Sequence, residues 1–157
     1  MYYSGIEPCD ALNGEGFRTV IWVSGCSLNC KGCFNSKTHN RFFGQKYTEV
    51  TENYILNCLN KSYVDGITIS GGHPLESYNL ETVKNLILRI KNELPQKTIW
   101  LYTGYVIDSL DKESKEWEVI QLCDVIVDGS YIEEQRDITL KWRGSKNQRI
   151  LYKGKDF

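Results

Sequence analysis

Residues 24–35 read SGCSLNCKGCFN and follow residues 19–23, which read TVIWV. The earlier run is short, apolar and rich in β-branched residues, so it predicts a strand that ends at the cysteine-containing segment. Cys26, Cys30 and Cys33 lie at i, i+4 and i+7. This spacing allows one loop to turn three thiolates toward a common point, as zinc or an iron–sulfur cluster requires. The sequence therefore predicts a metal-binding site directly after the first predicted strand.

Three local thiolates leave one position of such a site undefined. Iron–sulfur clusters that only carry electrons usually have four cysteine ligands, so a set of three indicates that a further molecule binds there. One alternative is a structural zinc site completed by His39 or His73, because Cys3His zinc sites are common. The functional alternative is a cluster with one iron open to another ligand.

The composition fits one domain covering residues 1–157, with 41% hydrophobic residues for a core. The formal net charge is −1, and nucleic acid is not expected as the partner because phosphate neutralisation needs clustered Lys and Arg. No apolar run approaches the roughly 20 residues of a membrane span, and the amino terminus lacks the features of a signal peptide. We therefore expect no membrane association and a cytoplasmic location, where cysteines stay reduced.

Predicted strands and helices alternate along the chain. Residues 1–17 read as a leading segment, and residues 35–50 read as a loop that closes over the site. The further predicted strands cover 66–70, 98–102 and 124–127, and the predicted helices begin at Thr51 and Asn79 and cover about 107–121. The tail is less regular.

This alternation predicts an α/β fold with a mostly parallel sheet. A closed eight-fold barrel takes about 250 residues, so we expect four to five βα units in an incomplete, open (βα) barrel. In such folds the chemistry gathers at the carboxyl ends of the strands. The cysteine loop, Gly71-Gly72, Thr103 and Asp128 all follow predicted strands.

Several motifs carry a resemblance to a known family. The C-x3-C-x2-C loop and the glycine pair of Ser70-Gly71-Gly72 resemble the radical S-adenosylmethionine (radical SAM) superfamily. Within it, further motifs resemble the family of activating proteins of anaerobic ribonucleoside-triphosphate reductase: CKGCFN (30–35), SGGHPL (70–75), TGY (103–105), VDG (127–129) and WRGS (142–145). Together they cover nearly the whole chain.

The resemblance implies an oxidoreductase with one [4Fe–4S] cluster per chain, held by Cys26, Cys30 and Cys33. The open iron would be chelated by the amino and carboxylate groups of S-adenosyl-L-methionine. Reductive cleavage of this cofactor would release a 5′-deoxyadenosyl radical that generates a glycyl radical on the large subunit of the anaerobic reductase. Flavodoxin or a ferredoxin is implied as the electron donor.

The glycine pair and the next residue are implied as contacts of S-adenosyl-L-methionine. Gly71 and Gly72 allow a ligand to approach the backbone closely, although two glycines can also simply form a turn. Members of the family carry Asp or Glu at position 73, where a carboxylate accepts from the cofactor ammonium. His73 stands here, and our hypothesis is that neutral His73, or a nearby backbone carbonyl, takes the ammonium.

Five further residues are implied as cofactor contacts, four of them with a simpler alternative. Gly32 precedes the last cysteine, where the radical SAM superfamily often has an aromatic residue and the nearer family normally has glycine. Phe34 either stacks near adenine or packs in the core. Thr103 either hydrogen-bonds the ribose or ends a strand. Asp128 either orients the site or caps a turn. Arg143 either pairs with the methionyl carboxylate or forms a surface salt bridge.

Two other functions fit the same features. A radical enzyme that acts on a small molecule would form 5′-deoxyadenosine with that molecule and no reductase present. A zinc-binding interaction module would carry zinc and never cleave S-adenosyl-L-methionine. The resemblance favours the activating enzyme.

Overall fold

The computed structural model describes all residues from Met1 to Phe157. Its framework is a seven-stranded sheet with the order β3-β1-β2-β4-β5-β6-β7. The strands are β1 (Tyr2–Asp10), β2 (Arg18–Val23), β3 (Gln45–Lys46), β4 (Gly66–Gly71), β5 (Thr98–Tyr102), β6 (Val125–Asp128) and β7 (Arg149–Tyr152). The α-helices are α1 (Glu49–Leu59), α2 (Ser77–Glu93) and α3 (Lys115–Leu122). None of them is long and apolar enough to cross a membrane.

Four central strands, β2, β4, β5 and β6, are parallel neighbours. One α-helix lies in each connection between them, because parallel neighbours need a long crossover. The predicted α/β fold with an open sheet is confirmed. The predicted four to five βα units are corrected to three, and a parallel barrel is not confirmed, because β1, β3 and β7 pair in the antiparallel sense.

The two faces of the sheet are covered differently. A core of 22 buried residues joins one face to the helices, and Ile99 and Leu101 of β5 belong to it. Successive residues of a strand point to opposite faces, and Trp100 accordingly belongs to a smaller cluster with Val125 and Val127. The helices therefore cover one face, and the other face is left to aromatic side chains and the tail.

The helix starts differ from the sequence prediction. Helix α1 is capped by Thr48, whose exchange of hydrogen bonds with Thr51 forms a capping box. Helix α2 begins at Ser77 after Glu76, two residues before the predicted cap Asn79. The Asn79 amide instead donates to the Ser24 carbonyl at 2.9 Å. Its side chain thus joins the helix to the start of the cysteine loop.

Candidate functional site

A cavity of about 460 Å³ lies at the carboxyl ends of the parallel strands. It is on the face opposite the helices, since Trp22, Ser70 and Tyr102 line it while Ile21, Ile69 and Leu101 belong to the helix-side core. Most of the predicted site residues line the cavity, namely Cys26, Cys30, Cys33, Phe34, Gly71, Gly72, Thr103 and Arg143. Residues separated by more than 100 positions in the chain thus share one space.

The cysteine loop, residues 24–35, wraps tightly. Gly25 and Gly32 have φ values of +99° and +70°, and Asn29 has +47°, all in the left-handed region that disfavours most side chains. A Cβ atom on Gly25 would lie 2.3 Å from the Tyr78 ring, and one on Gly32 would lie 2.6 Å from Glu133 Oε1. The positive φ values favour glycine at both positions, and a larger residue would also displace these neighbouring side chains. Gly32 itself does not line the cavity.

The three loop cysteines are free, partly exposed thiols. Burial raises the pKa of Cys26, and the backbone N–H groups of Leu28 and Asn29 act in the opposite direction. Burial likewise raises the pKa of Cys33, against the Asn35 N–H. A coordinated metal deprotonates such thiols outright, so the raised pKa values keep the free thiols protonated but do not prevent them from binding a metal centre.

The donor side chains do not form a site for a single metal ion. No three His, Cys, Asp or Glu side chains come close enough together to hold one metal ion. In a cluster each thiolate binds a different iron atom, so the ligands stand further apart than those of one ion. His39 lines the cavity, and its Nε2 atom is buried without a hydrogen-bond partner. His73, the other ligand considered for zinc, does not line the cavity.

The glycine pair brings two backbones together. Gly71 has a φ of +108°, and a Cβ atom there would lie 2.5 Å from Val23 backbone atoms. A Cβ atom on Gly72 would lie 2.5 Å from the Gly25 carbonyl oxygen. The Gly72 N–H donates to the Val23 carbonyl at 2.7 Å, and the His73 N–H donates to the Gly25 carbonyl at 2.7 Å. The pair therefore fastens the end of β4 to the cysteine loop and also forms part of the cavity wall.

His73 lies behind this wall, with 1% of its surface exposed. Its Nε2 atom is 2.8 Å from Thr103 Oγ1, and its ring meets the Tyr105 ring edge-on at 4.3 Å. Burial lowers the pKa of His73, against the opposing effect of Glu76, so the imidazole is neutral at pH 7. The structure does not bring this side chain to the cavity, whereas the backbone of Gly72 does lie there.

Asp128 is also buried away from the cavity. Its carboxylate accepts from Arg149 Nε at 2.9 Å and from Arg149 Nη2 at 2.6 Å. It also accepts from the Ile107 N–H at 2.9 Å. This paired geometry joins β6 to β7 and to the segment after β5. The next residue, Gly129, lines the cavity in its place.

Three predicted contacts remain on the cavity wall. Phe34 is 70% exposed, so it does not pack in the core. Arg143 donates to the Gln148 carbonyl through Nη1 at 2.6 Å and forms no ion pair within the chain. The Thr103 hydroxyl oxygen accepts from the Tyr105 N–H at 3.1 Å while facing His73. Arg143 and Thr103 thus have hydrogen bonds within the fold as well as a position on the cavity wall, while Phe34 lies exposed there.

One residue near the site was missed by the sequence analysis. Glu76 Oε1 accepts hydrogen bonds from the N–H and the hydroxyl of Ser27, both at 2.7 Å. Ser27 lies between Cys26 and Cys30 in the loop. The available signal was an acidic residue at a helix start shortly after the glycine pair, but no pattern in the sequence ties position 76 to position 27.

Comparison with known proteins defines the class first. A family model described as a 4Fe-4S single cluster domain matches residues 12–151. This range includes the whole cysteine loop and every element that lines the cavity. The match covers most of the chain, so its class is that of proteins with one 4Fe-4S cluster domain.

Curated relatives are similar over nearly their full length. The chain is 43% identical over 152 residues to the anaerobic ribonucleoside-triphosphate reductase-activating protein of Haemophilus influenzae, covering 96% of this chain and 97% of the relative. Identity to the protein of the same name from Enterobacteria phage T4 is 42% over 150 residues, covering 96% and 93%. For Escherichia coli K12 it is 40% over 150 residues, covering 94% and 96%. The chain belongs to the family of anaerobic ribonucleoside-triphosphate reductase-activating proteins.

Proposed function

We propose that this chain is the activating enzyme of an anaerobic ribonucleoside-triphosphate reductase, the activity that its relatives' names give. The observation that carries the proposal is the cavity at the strand ends, where three free cysteines face a glycine pair, a threonine and an arginine. A metal centre and an organic cofactor can therefore bind in the same space. The large subunit of that reductase is the proposed partner.

Cys26, Cys30 and Cys33 are the proposed ligands of one [4Fe–4S] cluster. Three ligands leave one iron open, and S-adenosyl-L-methionine is the proposed ligand there. Cluster and cofactor together supply the radical chemistry, namely cleavage of the sulfonium C–S bond and removal of a hydrogen atom from a glycine of the reductase. The protein's own residues bind the cofactor, orient it and limit its exposure to water.

The wall residues are the proposed cofactor contacts. Arg143 has guanidinium N–H groups available for the methionyl carboxylate, and such bonds are charge-assisted. The Thr103 hydroxyl is the proposed contact of the ribose, and the exposed ring of Phe34 is the proposed contact of adenine. The Gly72 carbonyl is the proposed acceptor for the ammonium. This choice replaces the side chain of His73, which lies behind the wall.

Gly32, His73 and Asp128 are proposed to act indirectly. Gly32 allows the loop to turn at a φ of +70°, and His73 supports Thr103 from behind. Asp128 holds Arg149 and the segment at Ile107 in place, so that Gly129 reaches the cavity wall. All three thus shape the space that the cofactor would occupy.

The remaining features of the proposal concern the whole chain. Residues 1–157 form one radical SAM domain, in line with the single sheet. The parallel strands form part of an incomplete βα barrel, since the helices lie on one face and the cavity on the other, as in a barrel's outside and inside. Flavodoxin or a ferredoxin is the proposed electron donor. The proposed location is cytoplasmic, because none of the six cysteines forms a disulfide.

The experiment uses protein reconstituted with iron and sulfide without oxygen. Dithionite and S-adenosyl-L-methionine are added, and 5′-deoxyadenosine is measured by chromatography. The anaerobic reductase is then added, and electron paramagnetic resonance is used to look for a glycyl radical doublet. Cofactor cleavage followed by the doublet supports the proposal.

Other results identify the rival functions. Bound zinc without cofactor cleavage would indicate a zinc-binding module. Cleavage that yields no doublet with the reductase, but proceeds with a small-molecule substrate, would indicate a different radical enzyme. The matched control is Cys9→Ser, because Cys9 is exposed and lies outside the cysteine loop, and this variant is expected to behave like the unaltered protein.

A further inference from the structure

Glu76 occupies the N-cap position of helix α2 without capping it through its side chain. Its backbone carbonyl accepts from the Asn79 N–H at 2.8 Å and from the Leu80 N–H at 2.9 Å, so the helix begins normally. An N-cap side chain ordinarily accepts from the first turn of its own helix. The Glu76 carboxylate instead extends to a different part of the chain.

The carboxylate reaches the cysteine loop. Glu76 Oε1 accepts from both the Ser27 N–H and the Ser27 hydroxyl at 2.7 Å, and the residue is only 8% exposed. Hydrogen bonds to an ionised carboxylate are about twice as strong as those between neutral groups. Two of them hold the residue that directly follows Cys26.

A second polar group supports the same oxygen. His73 Nδ1 is buried, has no hydrogen-bond partner and lies 3.6 Å from Glu76 Oε1. His73 Nε2 lies 2.8 Å from the Thr103 hydroxyl, which can donate to it. This tautomer places the ring hydrogen on Nδ1, toward the carboxylate, and avoids two acceptors facing each other. The polar groups then connect the cysteine loop to the ends of β4 and β5.

Glu76 is negatively charged in this position. Burial disfavours its ionised form, but the hydrogen bonds from the Ser27 hydroxyl and N–H act in the opposite direction, and the pKa of Glu76 is lowered. A fixed negative charge beside an iron–sulfur cluster opposes the arrival of an electron, and charge is one of the factors that set cluster potentials. Reducing a sulfonium requires a strongly reducing cluster, so this charge would act in the useful direction.

We propose that Glu76 is a positioning residue for the cluster, which fixes Ser27 and thereby Cys26 and which keeps the reduction potential low. The inference rests on the proposed function, because it takes the cluster to be bound by Cys26, Cys30 and Cys33. It assigns to position 76 a role in both the assembly and the potential of the metal centre.

The test compares Glu76→Gln and Glu76→Ala with the unaltered protein. Glu81→Gln is the matched control, because Glu81 lies in the same helix and is exposed. Folding of the metal-free proteins is checked by circular dichroism. Iron and sulfide per chain are then measured after anaerobic reconstitution, and the midpoint potential is measured by a redox titration followed by electron paramagnetic resonance.

Glu76→Gln keeps an acceptor for Ser27 but loses the charge. We expect this variant to bind iron normally. The equilibrium constant for reduction of its cluster should rise about tenfold, which is a positive shift of the midpoint potential of about 59 mV for a one-electron couple. Glu76→Ala loses the acceptor as well, and we expect several-fold less iron per chain. Glu81→Gln should match the unaltered protein in both measurements.

Three outcomes would overturn the inference or its basis. Equal midpoint potentials for Glu76→Gln and the unaltered protein would overturn it, as would equal iron content for Glu76→Ala. If Glu76→Ala does not fold, Ser27→Ala takes its place, because it removes only the hydroxyl bond and should lower iron content partially. Failure of the unaltered protein to bind iron and sulfide would instead contradict the proposed function itself.

Discussion

The two ends of the parallel strands differ in how their buried polar groups are satisfied. At the amino end, Arg18 is 1% exposed and uses all five guanidinium N–H groups in hydrogen bonds within the chain. At the carboxyl end, His39 lines the cavity and keeps a buried ring nitrogen without a hydrogen-bond partner. We call the amino end the closed end, because its hydrogen-bond network is complete, and the carboxyl end the open end, because it forms the cavity. Saturated polar groups stabilise a fold, while unsatisfied ones beside a cavity are typical of a binding site.

The closed end explains how a buried cation is tolerated. Arg18 donates to the Ile67 and Thr98 carbonyls at 2.7 and 2.9 Å and to the Thr68 hydroxyl at 2.8 Å. Its guanidinium lies 5.3 Å from the centre of the Trp100 ring. Burial lowers the pKa of Arg18 to about 10, so it stays charged at neutral pH. The network joins β2, β4 and β5 at their starts.

The largest predicted effect follows from removing a cysteine at the open end. Replacing Cys26, Cys30 or Cys33 singly with Ser should abolish cluster binding and the formation of 5′-deoxyadenosine, because each removes one of three thiolate ligands. The folded state should persist, since the loop lies outside the 22-residue core. Iron analysis and product chromatography check this, with Cys9→Ser as the control. A serine variant with normal product yield would remove that cysteine from the ligand set.

The next largest effect follows from removing the buried guanidinium at the closed end. Arg18→Met should lower the free energy of unfolding by about 3 kcal/mol, because each buried acceptor left unsatisfied costs about 1–3 kcal/mol. Urea unfolding of the metal-free protein measures it. Arg89→Met is the control, because Arg89 pairs with Glu52 and Glu93 in partly exposed bridges of the kind that contribute about 0–1 kcal/mol. Similar losses for the two variants would contradict the contrast between the ends.

A smaller effect sharpens the assignment of the cavity wall. Arg143→Met should weaken S-adenosyl-L-methionine binding about tenfold, since a hydrogen bond to a charged group contributes about 1.5–3 kcal/mol. Calorimetric titration of the reconstituted protein without oxygen gives the dissociation constant. Lys146→Met is the control, because Lys146 is exposed and pairs only with Asp137 at the surface. Unchanged affinity in Arg143→Met would show that Arg143 does not bind the cofactor and that its hydrogen bond to the Gln148 carbonyl serves the fold alone.

The smallest effect concerns the pH dependence of stability. Burial sets the pKa of His73 below its ordinary value of 6.5, so the folded state binds fewer protons than the unfolded chain. The contribution of neutral His73 to the free energy of unfolding is therefore fully present above about pH 6.5, and it is lost as the pH falls through the folded-state pKa. Urea unfolding at several pH values should show this decline, and His73→Gln should flatten it. An equally steep decline in the variant would assign it to other groups.

The sequence predicted the open end better than the closed end. The cysteine spacing and the glycine pair are local patterns, and they led directly to residues that line the cavity. The contact between Arg18 and Thr68 spans 50 positions, and the contact between Glu76 and Ser27 spans 49. Neither leaves a periodic signal, because each depends on which strands become neighbours.

The antiparallel strands of the sheet were missed for a related reason. Strand β1 contains Gly5 and Pro8, which are disfavoured within strands, and β7 is only four residues long. They pair in the antiparallel sense with β2 and β6, two strands that the sequence did predict, but neither predicted strand indicates which segment becomes its antiparallel neighbour. The start of α2 was misplaced because Asn79 has the chemistry of a cap but binds Ser24 and His73 instead.

The most direct test of the account is an electron paramagnetic resonance spectrum of the reduced, reconstituted protein, recorded before and after S-adenosyl-L-methionine is added. If three cysteines hold the cluster and one iron is open, the cofactor should bind that iron and change the g values of the spectrum. Identical spectra at a saturating cofactor concentration would contradict an open iron and, with it, the proposed chemistry.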